Sequence, residues 1–299
     1  MNEKTQALLE KLEEGVKDVF TSERFIKYLS FSAKFHNYSY NNIILILAQK
    51  PEASMVAGFR KWNEMGRFVK KGEKGISILA PNFKKKYEQK LDPNNKPIKD
   101  NNGKEVMVDK GKELIGFFPT HVFDVSQTDG DPLPELASHF GGEMQNFDLV
   151  WDALCECSPY PADIIESLNI NSMKGAKGVC NHTKKQIHIA QGLSHEETIA
   201  TLIHEIAHAR TYSPDPEQMT SKNTREIEAE SCAYVVSSYF GIDPGISSFE
   251  YIAAWCKNKE ISELKKTLSN INKEANNIIS HVTDYLNKRQ PEKIYDYSR

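Results

Sequence analysis

The stretch SHEETIATLIHEIAHAR, residues 194–210, decides how the second half of the 299-residue chain folds. Ser194 and Glu197 form an S-x-x-E capping box, a pattern that marks the start of a helix. Apolar residues then recur at helical spacing, as expected for a helix with a buried face: Ile199, Leu202, Ile203, Ile206 and Ala207. We therefore predict a core-packed helix that begins directly after Ser194.

The motif HEIAH within this helix predicts a zinc-hydrolase site. His204 and His208 are four residues apart, so they share one helix face and can bind the same Zn²⁺ through ring nitrogens. Glu205 is placed beside the water that zinc would activate, where it can act as the general base. The same pattern also occurs by chance in amphipathic helices with solvated charges. The capping box, the preceding strand and the helix that follows favour the metal site.

A zinc hydrolase needs a third protein ligand. Pro214 stands where the metzincin pattern requires a histidine, which excludes that arrangement. Residues 224–240 predict a second helix, on which Glu226 and Glu230 share a face whereas Glu228 points away. We predict that Glu226 is the third ligand and that Glu230 accepts the outer N–H of a ligand histidine. The exchange of these two roles is the alternative.

Composition excludes several classes of protein. The chain is 39% hydrophobic and 26% charged, which is typical of a globular protein. Its longest apolar run, residues 43–48, is far shorter than the roughly 18 residues of a membrane span, and the N-terminus lacks a signal-peptide core. The five cysteines include no CxxC pair, which fits a reducing compartment. We predict a cytoplasmic protein with no membrane partner.

Charge and aromatic residues indicate a nucleic-acid partner for the first half. Residues 1–125 contain 22 Lys and Arg against 16 Asp and Glu, whereas residues 126–299 contain 16 against 25. Cations mixed with aromatic and amide groups are typical of surfaces that bind single-stranded DNA. The candidate DNA-binding residues are Tyr40, Asn41, Arg60, Lys61, Trp62, Arg67, Lys70, Lys71, Lys74, Lys84, Lys85 and Lys86. The alternative is that Trp62 and Phe68 belong to the core and the lysines form a solvated face.

Residues 126–136, SQTDGDPLPEL, interrupt any regular pattern and indicate a boundary between two α+β domains. We predict an N-terminal domain at residues 1–128, a linker at 129–136 and a C-terminal domain at 137–299, each with its own core. Residues 91–104 predict a long, mobile hairpin loop. Other patterns predict helices at 3–20, 22–37, 42–49, 59–65 and 262–288, and strands at 76–80, 112–124 and 186–190.

Several motifs resemble the ArdC family of antirestriction proteins from conjugative elements. In the first half these are YSYNNIILIL from Tyr38, WNEMGRFVKKGEKG from Trp62 and VFDVSQTDG from Val122; in the second they are HEIAH and REIEAES. The resemblance implies an N-terminal domain that binds single-stranded DNA and a zincin-like metallopeptidase domain akin to ImmA/IrrE peptidases. It also implies His204, His208 and Glu226 as zinc ligands, Glu205 as the catalytic acid/base, and no ligand role for Glu228.

Three hypotheses of function follow. The leading one is an antirestriction-type protein of a mobile element that binds single-stranded DNA and carries a zinc metallopeptidase-like site. The second is a regulatory zinc endopeptidase that cleaves a repressor of its mobile element. The third is a non-enzymatic, DNA-covering protein with a structural metal, which a three-ligand site beside a glutamate disfavours. The second requires a protein or peptide substrate, and the first allows one.

Overall fold

Helices and mostly antiparallel strands are interspersed along the chain, and the α+β class predicted from the sequence is confirmed. The structure, a computed structural model, describes residues 3–133, 147–165, 175–215, 220–242, 249 and 252–289. No helix of these residues is long and apolar enough to cross a membrane.

The first half places helices against a long β-ribbon. Its described helices are α1 (Glu3–Val19), α2 (Ser22–Lys34), α3 (Tyr40–Gln49) and α4 (Phe59–Glu64). Its strands are β1 (Val56–Ala57), β2 (Arg67–Val69), β3 (Ile76–Gln89), β4 (Met107–Asp124) and β5 (Thr128–Gly130), with a 3-10 turn at Val125–Gln127 before the last. β4 lies between β1 and β3, and both neighbours are antiparallel to it.

Two predicted boundaries in this half were wrong. The predicted helix 22–37 ends at Lys34, and the predicted helix 42–49 begins at Tyr40 because Ser39 caps it by accepting from the Asn42 N–H. The strands predicted at 76–80 and 112–124 are the inner ends of β3 and β4, which pair far beyond the core. Their outer parts are exposed on both faces, so no burial pattern marks them in the sequence.

The connection between β3 and β4 is a hairpin, as predicted, but its loop is built from two hydrogen-bonded turns. The Asp92 carboxylate accepts from the N–H groups of Asn94 and Lys96, and the Asp100 carboxylate accepts from those of Asn102 and Lys104. Short bridges join Leu91 to Pro97 and Lys99 to Glu105. Asp and Asn repeat in this stretch because their side chains close such turns.

The predicted boundary between the halves is also shifted. Residues 128–130 form β5, which pairs antiparallel with β2, so the first two residues of the predicted linker belong to the first half. A side chain at Gly130 would place its Cβ 2.3 Å from the Gly66 carbonyl oxygen, which explains the glycine at this close approach. Residues 134–136 of the predicted linker lie outside the described residues.

The second half surrounds a three-stranded sheet with helices. Its described helices are α5 (Phe147–Cys157), α6 (His195–Thr211), α7 (Lys222–Tyr239), α8 (Ile252–Cys256) and α9 (Ile261–Arg289). Its strands are β6 (Ala162–Ile165), β7 (Gly178–Asn181) and β8 (Gln186–Ala190). β8 is central, parallel to β6 and antiparallel to β7. α6 packs on β7, β8 and α7, and α7 packs in turn on α9.

The halves share one core, which differs from the predicted pair of separate cores. α2 packs on α7, and α9 contacts α1 and α3. The Phe25 ring lies 5.1 Å from the Phe249 ring, and the Ser30 and Tyr234 hydroxyls are hydrogen-bonded at 2.9 Å. Buried apolar side chains of both halves form one continuous cluster among the described residues. The predicted domain boundary therefore separates two halves whose helices are packed against each other.

Candidate metal centre

Helix α6 begins and packs as its sequence predicts. The Ser194 hydroxyl accepts from the Glu197 N–H, and the Glu197 carboxylate accepts from the Ser194 N–H, both at 3.2 Å. Lys177 adds an ion pair to Glu197 at 2.7 Å. The apolar residues that predicted a buried face are almost completely buried: Ile199, Leu202, Ile203 and Ile206. This burial fixes the rotation of α6 and turns its two metal-candidate histidines toward α7.

His204, His208 and Glu226 bring three donor atoms together. The Nε2 atoms of His204 and His208 are 3.0 Å apart. Glu226 Oε2 lies 3.7 Å from His204 Nε2 and 3.4 Å from His208 Nε2. Two ligands bound to tetrahedral zinc at about 2.0–2.1 Å are separated by about 3.4 Å. The triangle therefore has the size of a metal site. Among the described residues, it is the group of His, Cys, Asp or Glu side chains with three donor atoms within 4.8 Å of one another.

The electrostatics of the triangle favour a cation. Hydrogen bonds to His204 and then to His208 hold the pKa of Glu226 far below its usual value. Burial alone would lower the pKa of His204, but the carboxylates of Glu226, Glu205 and Glu230 together raise it. Three acidic groups thus face two imidazoles in a partly buried position. A divalent cation would satisfy both the carboxylates and the imidazole lone pairs.

Glu205 is held against strand β7. Its side chain is buried, and the burial raises its pKa, while the Cys180 N–H donates to its carboxylate. A Cβ at Gly178 would lie 2.9 Å from Glu205 Oε1 and 2.7 Å from the Thr201 methyl. Glycine at position 178 therefore lets the strand approach the carboxylate closely. A carboxylate with a raised pKa beside the ligand triangle can accept and return a proton.

The other two glutamates of α7 have different surroundings. Glu230 lines the same cavity as the triangle, and its charge contributes to the raised pKa of His204. Its carboxylate is not among the three donor groups of the triangle. Glu228 is buried away from the site, and its carboxylate accepts from the Asn270 side chain at 3.0 Å, which joins α7 to α9. Burial raises the pKa of Glu228.

The triangle opens into a cavity of about 830 Å³ between β7, α6 and α7. His182, which no sequence pattern singled out, lies on its wall. The His182 ring stacks on Tyr212 with centroids 4.0 Å apart, and Tyr160 approaches it edge-on at 6.1 Å. Burial lowers the pKa of His182, and the charges of His208 and Arg225 lower it further. Gly178, Cys180 and His182 are two residues apart, and side chains two apart on a strand share a face. This spacing could have placed His182 on the side of β7 that contacts Glu205.

Trp62 does not form part of a DNA-binding surface, contrary to the prediction. Its side chain is fully buried, and its indole N–H donates to the Phe123 carbonyl at 2.9 Å. It therefore cannot stack on a base. The alternative, that Trp62 and Phe68 both belong to the core, is right for Trp62 only, because Phe68 is 61% exposed.

Three candidate cations outside the β3–β4 ribbon have intramolecular partners. The Arg67 guanidinium donates to the Thr128 hydroxyl at 2.8 Å and carbonyl at 3.1 Å, so it clamps β2 to β5. Lys70 donates to the Ser126 carbonyl at 3.1 Å, and Lys61 pairs with Glu64 at 3.8 Å. These contacts give Arg67 and Lys70 a structural role.

The remaining candidates divide by exposure. Tyr40 and Asn41 are half-buried at the start of α3, and burial raises the pKa of Tyr40. The exposed candidates lie on α4, on the turn after β2 and on β3: Arg60, Lys71, Lys74, Lys84, Lys85 and Lys86. Lys86 is paired with Glu88 at 3.2 Å, so the cations available to a phosphate backbone are the other five on these three elements.

Comparisons with known proteins match the first part of the chain to one family. Residues 1–115 match the family model described as the N-terminal domain of anti-restriction factor ArdC. The resemblance predicted from the sequence motifs is confirmed for this part. An uncharacterized protein of Bacillus anthracis is 26% identical over 319 residues, covering 98% of this chain and 54% of that protein. The chain thus spans about half the length of this curated relative.

Two similar solved structures are of the antirestriction ArdC protein from the R388 plasmid. The metal-free structure is 18% identical, with a TM-score of 0.47, and the match covers 82% of this chain and 85% of that one. The Mn(II)-bound structure is also 18% identical, with a TM-score of 0.48 and coverage of 82% and 83%.

Proposed function

We propose that this chain, whose first 115 residues match the ArdC N-terminal domain, binds single-stranded DNA in an antirestriction role and carries a metallopeptidase-type site. The DNA-binding part rests on that match and on the exposed cations of the first half. The metal part is carried by one observation, the triangle of His204, His208 and Glu226. We assign DNA binding to residues 1–128 and a zincin-like peptidase domain to residues 137–299.

The two histidines and Glu226 would hold the ion, with zinc the best match to two imidazoles and one carboxylate. A divalent ion bound there supplies Lewis acidity toward a carbonyl group. Glu205 is the proton acceptor, because its carboxylate is buried beside the triangle and burial raises its pKa. Glu230, on the cavity wall near His204, orients that imidazole. The Mn(II)-bound ArdC structure supports a divalent metal without selecting zinc.

A second candidate function is regulatory proteolysis of a repressor encoded by the same mobile element. The observation that favours it is the open cavity of about 830 Å³, which extends from the triangle along the edge strand β7. An extended peptide can pair with such an edge. A protein whose metal is purely structural would not need Glu205 in that cavity.

Binding of a fluorescein-labelled oligonucleotide to the whole protein, followed by anisotropy, tests the DNA part. We expect single strands to bind more tightly than duplex. For each phosphate contact, the logarithm of the affinity should fall by about 0.7 for every tenfold rise in salt concentration. No binding to a single strand at low salt would refute this part.

Glu205→Gln tests the peptidase part separately. It keeps the size of the side chain and the metal ligands but removes the proton acceptor. We expect this variant to bind metal and DNA as the wild type does and to lose all cleavage of an unfolded protein substrate such as casein. Equal cleavage by both proteins would refute the role of Glu205, and the absence of cleavage in the wild type would favour a structural metal.

A further inference from the structure

The outer part of the β3–β4 ribbon extends beyond the core with both faces exposed. Register assigns side chains to two faces, because residues directly opposite each other in an antiparallel pair lie on the same side. Phe83 is opposite Leu114, Lys85 is opposite Lys112, and Lys84 is opposite Glu113. We call the side bearing Phe83, Lys85, Tyr87, Lys112, Leu114 and Phe117 the front face, and the side bearing Lys84, Lys86, Glu88 and Glu113 the back face.

Each lysine on the back face lies beside a carboxylate. Lys84 stands directly opposite Glu113, an arrangement of opposite charges that stabilises paired strands. Lys86 pairs with Glu88 at 3.2 Å, and Lys110 approaches the same carboxylate at 3.9 Å. Three lysines thus share two carboxylates on this side, and each of the three already lies beside one of them.

The front face brings two lysines together. Lys85 and Lys112 are directly opposite each other, and like charges in such a cross-strand pair repel. Neither has an ion pair among the described residues of the chain. Asp109 is at the next front position, opposite Tyr87, and its carboxylate accepts from the Gly111 N–H at 2.8 Å. Without a partner this cross-strand pair costs stability, whereas an anion bound between the two ammonium groups would offset the repulsion.

Apolar and aromatic groups surround this lysine pair. The side chains of Phe83, Tyr87, Leu114 and Phe117 are between 48% and 51% exposed. Phe83 and Tyr87 lie on either side of Lys85 along β3, and residues two apart on a strand are separated by about 6.6 Å. The front face thus alternates a ring, a cation and a ring. Planar groups joined by phosphates match that order, since bases stack on rings and phosphates bind cations.

We propose that single-stranded DNA lies along the front face, with phosphates at Lys85 and Lys112 and bases stacked on Phe83, Tyr87 and Phe117. This inference rests on the proposed single-stranded DNA binding and assigns it a surface. A second copy of the chain fits less well, because a symmetric contact between two front faces would bring four lysines together. Duplex DNA fits less well because its bases are stacked on one another and not free to stack on the protein.

Charge-matched variants of the whole protein test the assignment. Lys85→Gln with Lys112→Gln removes two charges from the front face, and Lys84→Gln with Lys86→Gln removes two from the back. With the labelled oligonucleotide, we expect the front variant to bind at least tenfold more weakly, with a salt slope smaller by about 1.4. The back variant should stay within about twofold of the wild type. Equal losses in the two variants would overturn the inference.

Aromatic substitutions test stacking independently of charge. Phe83→Leu and Tyr87→Leu should each weaken binding by about tenfold and leave the salt slope unchanged, because a stacked base is lost but no phosphate contact. The side chains of Phe83 and Tyr87 are exposed, so the thermal midpoints of these two variants should match the wild type. Unchanged affinity in both aromatic variants would overturn the inference.

Two further outcomes separate the inference from the proposed function. A wild type that binds no single strand would refute the function itself, whereas tight binding by the wild type and by every front-face variant would refute only the surface. Sedimentation velocity identifies the other occupant. If the wild type is a dimer and the front-face variants are monomers, the face is a contact between copies and the inference is wrong.

Discussion

Replacing Glu226 with alanine should abolish metal binding, whereas the same change at Glu230, one helical turn away, should only weaken it. Glu226 Oε2 lies within 3.4 and 3.7 Å of the two imidazole Nε2 atoms, so its removal leaves a two-ligand site. Glu230 lines the cavity without belonging to the ligand triangle. The two variants make the same chemical change on the same helix, so each is the control for the other.

The expected magnitudes follow from binding linkage. At a free Zn²⁺ concentration a hundredfold above the wild-type Kd, bound metal stabilises the folded protein by about 2.7 kcal/mol. A gain of that size raises the thermal midpoint by about 4 °C in a protein of this length, at about 2.1 cal/mol/K of unfolding entropy per residue. Loss of a residue that only orients a ligand weakens metal binding by about 10–100-fold. Glu230→Ala should therefore retain about 0.4–1.4 kcal/mol of that gain at the same Zn²⁺ concentration, and Glu226→Ala almost none.

Differential scanning calorimetry of chelator-treated protein, titrated with Zn²⁺, measures these shifts, and elemental analysis after dialysis gives the stoichiometry. Full stabilisation of Glu226→Ala by zinc would refute its assignment as a ligand. Loss of metal in Glu230→Ala but not in Glu226→Ala would show that the two glutamates exchange roles. His204→Ala should behave like Glu226→Ala in both assays.

Three further predictions concern the fold. Trp62→Ala should lower the free energy of unfolding in denaturant by about 3–5 kcal/mol, because Trp62 is fully buried; an unchanged midpoint would contradict its place in the core. Burial alone would raise the pKa of Asp124, but hydrogen bonds from Ser126, Ser54 and Met55 lower it. The ionised Asp124 carboxylate therefore stabilises the fold fully above its unfolded pKa of about 3.9, and this stabilisation is lost as the pH falls through the lower folded pKa. Asp124→Asn should flatten the acid limb of a curve of unfolding free energy against pH. An unchanged acid limb would refute this. Arg210→Ala removes the contacts to Glu274 at 2.8 Å and to the Cys157 carbonyl at 3.1 Å. It should lower the unfolding free energy by about 1–3 kcal/mol, and Glu274→Gln by less, in the same denaturant assay.

Local rules predicted the metal helix well. A capping box and helical apolar spacing determine where α6 begins and which face it buries, and both signals lie within a few residues of each other. Helix geometry alone then separated Glu228 from Glu226, and the structure places Glu228 against Asn270 on α9. The choice of Glu226 over Glu230 depended on how two helices cross, which no single-helix pattern contains.

Features that depend on distant contacts could not be predicted. The burial of Trp62 requires β4 to lie across α4, and the two are 61 residues apart at the indole hydrogen bond. His182 reaches the cavity because β7 pairs with β8 at the edge next to α6. The hairpin was predicted but the full length of its strand β3 was not, because the exposed residues beyond Ala80 mix lysines with aromatic side chains and resemble a solvated surface.

The contact between α2 and α7 ties the stability of the two halves together. Phe25, Tyr28 and Leu29 on α2 are completely buried, so separating the halves would expose a large apolar surface to water. We therefore expect the chain to melt in a single cooperative transition, in which an ion bound between α6 and α7 also protects the β-ribbon half from unfolding. A cut after residue 115 would also divide β4 (Met107–Asp124) and remove the inner-end partners of β3. We therefore expect that residues 1–115, which match the family model, do not fold by themselves.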